Sequence, residues 1–587
     1  MVLVNFNIDA DITDPNTVVV VSGNCQELGR WLYNGVKSMS RLGDGRWTLE
    51  VNLNSVDVGS LIEYRYAICS FPTEKDGQAN TIIHKWETHM EPRVLSLKGE
   101  TVYTDDGCFG HKDGIRSVRG GWLTDQSEVR LMLHSNPFEL FIKTKEVTKI
   151  GFRVKANHIC QRNDECIPTQ IKVVNEDEYI AKPQAKNGRH YKNNEIMVFS
   201  SQVLELQNTV FVIEVLSFQE HGDVNILGQV AVLGTMLTKT RDDLHCPVTN
   251  TSGEVVGVLQ VQYVVIKPLP KCSSLCTFQN PYQWTSTRCL SVGHRGMGVS
   301  FKNKGLLYES GIRKTAQTFI ENTIGAFKGA VEAGADMVEF DVHVCKDHVP
   351  VVYHDYNVPV CLQMAEDTGK HLQHRILLTD FSFEELQSVQ TTHTAKRNEN
   401  VKDSDRLFPP LTKVLQNTPI QLAFNVEIKY PLHNVDGTNE CPDYSMDMSV
   451  LVDNVLQVLI EHAQSRNIII TCFDPDVCTL VCMKQNRFPV MLIHCGPTEK
   501  YIKYADPRIA TVHSAMHWVL AEQLVGLVGH VDDYVRDESL IKLIHDANLH
   551  LFIWGEDNKN PLLVQDMIKK GVEGVVTDDV TVLPQLA

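Results

Sequence analysis

Two patterns of apolar position divide the chain. Up to about residue 270, Val, Ile, Leu, Phe and Tyr gather in short runs separated by Gly, Asp and Asn. In the first 115 residues these runs are TVVVVSG (17–23), RWTLEVNL (46–53), SLIEYRYAI (60–68) and TIIHKWE (81–87). Runs of this length, rich in β-branched and aromatic residues and closed by turn formers, predict strands, here a small β-sandwich over 1–115. A second set, FELFIKT (138–144), KIGFRVKA (149–156), TVFVIEVLSF (209–218), ILGQVAVL (226–233) and VVGVLQVQYVVI (255–266), predicts another β-sandwich over 116–278. From about 290 the period changes to strands alternating with amphipathic helices such as NTIGAFKGAVEAG (322–334) and VLVDNVLQVLIEHAQ (450–464). Eight candidate strands follow: CLSVGH (289–294), MVEFDVHV (337–344), LAFNVEI (422–428), IIITCF (468–473), PVMLIH (489–494), IATVH (509–513), LHLFIW (549–554) and EGVVTD (573–578). Eight strands with intervening helices over 279–587 predict a C-terminal (β/α)8 TIM-like barrel.

Charge and cysteine usage narrow the class. Acidic residues outnumber basic ones, 72 to 55, for a formal charge of −17. That balance argues against nucleic acid as a partner. No apolar stretch is long enough for a transmembrane segment, and the N-terminus lacks the basic and apolar regions of a signal peptide. The 16 cysteines are spread along the chain without the dense spacing of a disulfide scaffold, so reduced thiols and a cytosolic location are expected. The closer pairs, Cys160 with Cys166, Cys272 with Cys276 and Cys478 with Cys482, have no second pair or histidines at zinc-site spacing.

In a barrel of this kind the chemistry sits at the C-terminal ends of the strands. There the sequence offers His294 and Arg295, then Glu339 and Asp341, then His354 and Asp355, then Asn425, Glu427 and Lys429. Strand period two puts Glu339 with Asp341, and Asn425 with Glu427 and Lys429, on one face each. Carboxylates converging on one buried point repel unless protonated or holding a cation, and hard oxygen ligands suit Mg²⁺ or Ca²⁺. Two histidines, an arginine and a lysine around such a trio are what cleavage of a phosphodiester requires.

The ordered fragments HRG (294–296), EN (321–322), EFD (339–341), HD (354–355), EIK (427–429) and TDD (577–579) resemble those of the glycerophosphodiester phosphodiesterases. The resemblance covers about 290–587. It implies His294 and His354 as the acid/base pair, Glu339, Asp341 and Glu427 as metal ligands, and Arg295 and Lys429 on the phosphate. Glu321, Asn322 and Asp355 take supporting roles. It also implies a small glycerophosphodiester as substrate, glycerophosphocholine above others, attacked either by the neighbouring glycerol hydroxyl or by water. Phe473, Trp554 and Glu556, at strand ends, are candidates for the head-group pocket.

LGRW (28–31), GRW (45–47), EYRY (63–66) and KWE (85–87) resemble a family 20 starch-binding module. That likeness implies a sugar platform of Trp31, Arg65 and Trp86 and, as partner, glycogen or another α-glucan. The end of the second β-rich segment resembles a C2 domain, without the clustered aspartates of a calcium site. Two rival functions follow from the same residues. A noncatalytic glycan-binding scaffold would lack a metal ligand or a histidine, and a lysophospholipase D-like enzyme would need an apolar groove or an amphipathic anchor beside the barrel mouth.

Overall fold

The computed structural model describes the chain apart from residues 1, 13, 44, 73–78, 90, 142–148, 160–165, 175–178, 220–222, 271–287, 300–318, 363–371, 390–403, 405, 499, 579 and 583–587. Cys160, Cys272, Cys276 and Asp579 therefore lie outside the described residues. The chain forms two compact units, the first holding principally the N-terminal β-rich segments and the second the barrel.

The first unit begins with Val2–Asp9, whose apolar residues at every second position (Val2, Val4, Phe6, Ile8) are all buried. This strand lies between Arg46–Leu53 and Thr101–Tyr103 in one sheet. A second sheet runs through Val118–Gly120, Ile82–Glu87, Leu61–Ser70, Val18–Gly23 and Lys37–Ser38. Val19 and Val21 join Tyr64, Tyr66 and Phe6 in the core. The next β-rich segment, between residues 127 and 266, forms an eleven-stranded sheet, ten strands in one hydrogen-bonded path and Phe138–Leu140 paired to Val255–Ile266 beside it.

The sugar platform expected from the starch-binding likeness is not an open surface. Trp86 is fully buried and Arg65 is buried with it. The cause is the chain's own continuation. Val118–Gly120 adds to the edge of Ile82–Glu87 with Arg119 opposite Trp86, and Trp122 sets its ring edge-on to Trp86 at 5.9 Å. Trp31 and Tyr33 pack against the same cluster, and Asp125 accepts from the Tyr33 hydroxyl and the Thr81 amide. Sequence patterning registers aromatic residues but not what folds over them, so Arg65 and Trp86 are reassigned from a binding face to packing.

The second unit is a closed barrel of eight parallel strands: β1 (Leu290–Gly293), β2 (Met337–Val344), β3 (Ala423–Ile428), β4 (Ile468–Cys472), β5 (Val490–His494), β6 (Gly526–His530), β7 (His550–Trp554) and β8 (Gly574–Thr577). β1 pairs with both β8 and β2, which closes the ring. The burial of every residue of β2, β4, β5, β6 and β8 is what strands covered by side chains within and helices outside require.

One predicted strand is wrong. IATVH is not a strand, because Thr511 caps the helix Val512–Ala521 through a reciprocal capping box with Ser514. The sixth strand is instead GLVGH (526–530), whose glycines hid it from a propensity reading. A Cβ on Gly526 would collide with the His550 carbonyl, and one on Gly529 with the Tyr534 hydroxyl.

Candidate active site

The mouth of the barrel is built by short turns at the strand ends. β1 runs into a turn in which Arg295 and Gly296 both take positive φ, 51° and 82°. A Cβ on Gly296 would stand 2.8 Å from the backbone of Ala326, so glycine is required where this turn meets the helix Ile324–Glu332. The turn aims the Arg295 amide at the Glu339 carboxylate (2.9 Å) and its guanidinium at Glu321 (3.1 Å) and Asp341 (3.6 Å).

Asn322 also holds a positive φ and spans Asp341 twice, donating from Nδ2 at 2.8 Å and accepting from the Asp341 amide at 3.3 Å. Helix capping falls to Thr323, whose hydroxyl accepts from the Ala326 amide. Glu321 and Asn322 are thereby left to contact Arg295 and Asp341.

The parallel register of β2 and β3 sets Asp341 opposite Glu427, and Glu339 one step below opposite Asn425. Carboxylate oxygens of Glu339, Asp341 and Glu427 all lie within 4.8 Å of one another. Lys429 donates to Glu427 at 2.8 Å and lies 3.7 Å from Asp341. Burial, reinforced by Asp341, pushes the Glu339 carboxyl up. For Asp341 burial acts in the same direction, but His354, Lys429 and Arg295 overcome it and hold the group below the usual carboxylate range. Burial also raises Glu427, against the pull of Lys429. Glu339 Oε1 is buried with no hydrogen-bond partner among the described residues. An orphaned oxygen in a three-carboxylate cluster with unbalanced negative charge fits a divalent cation bound by hard oxygen ligands.

One histidine stands beside Glu339 and the other acts on Asp341, and the two differ in environment. His294 follows β1, bonds through Nδ1 to Asp578 at 2.6 Å and presents Nε2 3.9 Å from Glu339. Burial and Arg295 work against its protonation, but Asp578 and Glu339 outweigh them and the imidazole titrates above its ordinary value. His354 is folded back over the mouth by Pro350–Val352, which pairs antiparallel with β2. Its Nδ1 bonds Asp355 at 2.7 Å. Burial lowers its pKa to about 4, and Arg295 and Lys429 add to that against the pull of Asp341 and Asp355.

The opposite half of the mouth is aromatic. Phe473, after β4, meets Trp554, at the end of β7, at 5.7 Å with ring planes 90° apart. Tyr504 meets Phe473 at 5.7 Å and 61°. Glu556 is exposed in the turn Glu556–Lys559.

Three residues of the site were given no role from sequence. Asp578, which orients His294, belongs to the TDD fragment and was visible only as a motif. His343 lies two residues beyond Asp341 on the same face of β2, and its Nε2 lies 3.3 Å from the His354 carbonyl, a placement strand period alone predicts. Glu440 had no signal, since it depends on how two loops meet.

A closed parallel barrel with buried carboxylates, two histidines, an arginine and a lysine at its C-terminal mouth has the groups a phosphoric diester hydrolase needs, and the carboxylates are placed so that they could hold a metal ion. Residues 294–582 match the glycerophosphoryl diester phosphodiesterase family, 123–270 a GDE1-like C2 domain and 1–104 a starch-binding domain. The chain belongs to the glycerophosphoryl diester phosphodiesterase family and is a glycerophosphodiester phosphodiesterase. It is 30% identical over 96% of its length to the human glycerophosphocholine phosphodiesterase GPCPD1, of which it covers 88%. It is 29% identical over the same share to the rat protein of that name, again covering 88%. Among solved structures, a glycerophosphodiester phosphodiesterase from Thermotoga maritima aligns over 50% of this chain and 96% of its own at 20% identity, TM-score 0.33. A phosphodiesterase from Oleispira antarctica in complex with sn-glycerol-3-phosphate aligns over 51% and 96% at 15% identity, TM-score 0.34.

Proposed function

We propose that this chain hydrolyses glycerophosphocholine to glycerol 3-phosphate and choline in the cytosol, with a divalent cation, Mg²⁺ or Ca²⁺, held by Glu339, Asp341 and Glu427. The observation that carries the reaction is a pair of histidines at one carboxylate cluster, each bonded through Nδ1 to its own aspartate and with pKa values pushed in opposite directions. The names of the relatives and the aromatic half of the mouth support the head group.

Arg295 and Lys429 bind the nonbridging phosphate oxygens and neutralise charge that grows as the phosphorus becomes five-coordinate. His354, neutral at physiological pH, takes the proton of the attacking hydroxyl. His294, whose protonated form Asp578 favours, gives its proton to the choline oxygen as the P–O bond breaks. If the attacker is the neighbouring glycerol hydroxyl, a cyclic phosphate forms and the histidines exchange roles while water opens it. If the attacker is water, glycerol 3-phosphate leaves directly. The cation, when bound, supplies Lewis-acid polarisation of the phosphate. Buried carboxylates beside Arg295 and Lys429 keep both cations in place between turnovers.

The module boundaries 1–115, 116–278 and 279–587 are part of the same proposal. Binding of glycogen or another α-glucan by the starch-binding module is part of the same proposal, but not through Arg65 and Trp86, which the chain itself covers. The test is release of choline and glycerol 3-phosphate from glycerophosphocholine by purified protein, with and without chelator and with each ion restored. Release that requires the ion is expected. No hydrolysis of any glycerophosphodiester with either ion would overturn the reading.

A further inference from the structure

The loop after β3 carries a carboxylate that the chemistry above does not use. His433 and Asn439 pair across a tight turn closed by Asp436 and Gly437, whose φ is 83°. Asn434 and Tyr504 form a second isolated bridge, with backbone bonds from Val435 to Lys503 and from Ala505 to His433. The two loops are thus fixed to one another, and Glu440, the residue after the hairpin, is set at their junction. Its carboxylate accepts from the Tyr504 hydroxyl at 2.9 Å, from the Leu432 amide at 3.0 Å and from the Tyr356 hydroxyl at 3.5 Å.

All three donors are neutral. No lysine, arginine or histidine forms an ion pair with Glu440 among the described residues, and the Lys429 ammonium acts on it only from beyond ion-pair distance. Tyr504 leads from it to Phe473 and Trp554, three half-buried rings meeting at 61° and 90° so that their faces form a corner. Tyr356 leads the other way, its ring 5.9 Å from the Lys429 ammonium. A fixed carboxylate therefore stands one aromatic ring from the phosphate-binding lysine, at the edge of an aromatic corner.

We propose that Glu440, with the ring faces of Tyr504, Phe473 and Trp554, forms the subsite that takes a methylated ammonium on the alcohol being released, and that Glu440 sets the preference for a cationic over a neutral head group. This rests on the reading of the chain as a glycerophosphodiester hydrolase acting on the choline ester. A trimethylammonium has no N–H to donate, so it is recognised by charge and by aromatic faces rather than by hydrogen bonds. A carboxylate whose oxygens are already occupied by hydroxyl and amide donors suits that cation. A primary ammonium needs several free acceptors, and the corner supplies few.

The experiment measures glycerol 3-phosphate release by the full chain from glycerophosphocholine, glycerophosphoethanolamine and the neutral glycerophosphoglycerol, for wild type, Glu440→Gln and Tyr504→Phe. Binding of tetramethylammonium is measured calorimetrically on the same proteins. For E440Q the ratio of kcat/KM between glycerophosphocholine and glycerophosphoglycerol is expected to fall about tenfold, with the loss in KM, and tetramethylammonium binding to weaken by a similar factor. Y504F, which removes one hydroxyl and frees the carboxylate, shifts the ratio in the same direction by less, and decides the matter should E440Q fail to fold. An unchanged ratio in the folded variants, or a ratio that moves while tetramethylammonium binding does not, overturns the subsite. Absence of turnover on every diester by wild type would instead remove the underlying reaction, and tetramethylammonium binding would still decide the role of Glu440.

Discussion

At the scale of single residues, the acid/base division rests on partners that sequence shows unequally. His294 and His354 stand in recognisable fragments, HRG and HD, and Asp355 is adjacent to its histidine. Asp578 lies 284 positions from His294, and only closure of the barrel between β8 and β1 brings them together. That contact has a measurable consequence. Asp578 favours the protonated form of His294, so replacing it with Asn lowers the pKa of the general acid. The alkaline limb of kcat/KM against pH, where His294 loses its proton, is expected to move to lower pH in D578N, while the acidic limb governed by His354 stays. His354→Ala removes the base and is expected to cost about 10² to 10⁴ in rate. Coincident pH profiles for wild type and D578N would show that Asp578 does not tune the acid.

At the scale of elements, most of the barrel was legible because its strands are β-branched runs bounded by turn residues, MVEFDVHV coinciding with its observed strand end to end, as RWTLEVNL, TVFVIEVLSF and VVGVLQVQYVVI do in the N-terminal segments. What failed was the assignment that depended on packing. The β-branched pair in IATVH reads as a strand until the Thr511–Ser514 capping box is considered, and GLVGH reads as a turn because glycine lacks strand propensity. Gly526 is present because β6 runs so close to β7 that the His550 carbonyl occupies the space of a Cβ, and Gly529 because the Tyr534 hydroxyl does. Gly526→Ala therefore forces the two strands apart within the barrel wall. It is expected to destabilise the barrel by about 1–3 kcal/mol, the usual cost of overpacking a filled core, as read from the urea midpoint. A midpoint equal to wild type would mean that β6 can move away without loss.

At the scale of the whole molecule, binding and stability meet in the carboxylate cluster. The two N-terminal modules were predicted as separate β-rich segments, but the covering of Trp86 by Trp122 depends on residues 36 positions apart and had no sequence signal. The acidic cluster did, because strand period and register together fix where Glu339, Asp341 and Glu427 converge. Glu339 titrates above its ordinary value, so the folded chain holds that proton more tightly than the unfolded chain. This contribution favours the fold at low pH and is lost as pH rises through the folded value, which leaves the ion-free barrel least stable at alkaline pH. A cation that binds only the folded state reverses the loss, by about 2.7 kcal/mol when the free ion exceeds its Kd about a hundredfold. Thermal unfolding of the intact chain at pH 8.5 is therefore expected to shift upward by several degrees on adding Mg²⁺ or Ca²⁺ and to return with chelator. Glu339→Gln removes both the titration and a ligand, so it is expected to raise the midpoint of the ion-free protein at that pH and to abolish the response to the ion. Because the readout is stability rather than turnover, an equal ion response in wild type and E339Q would place the cation elsewhere even if hydrolysis proved ion-dependent.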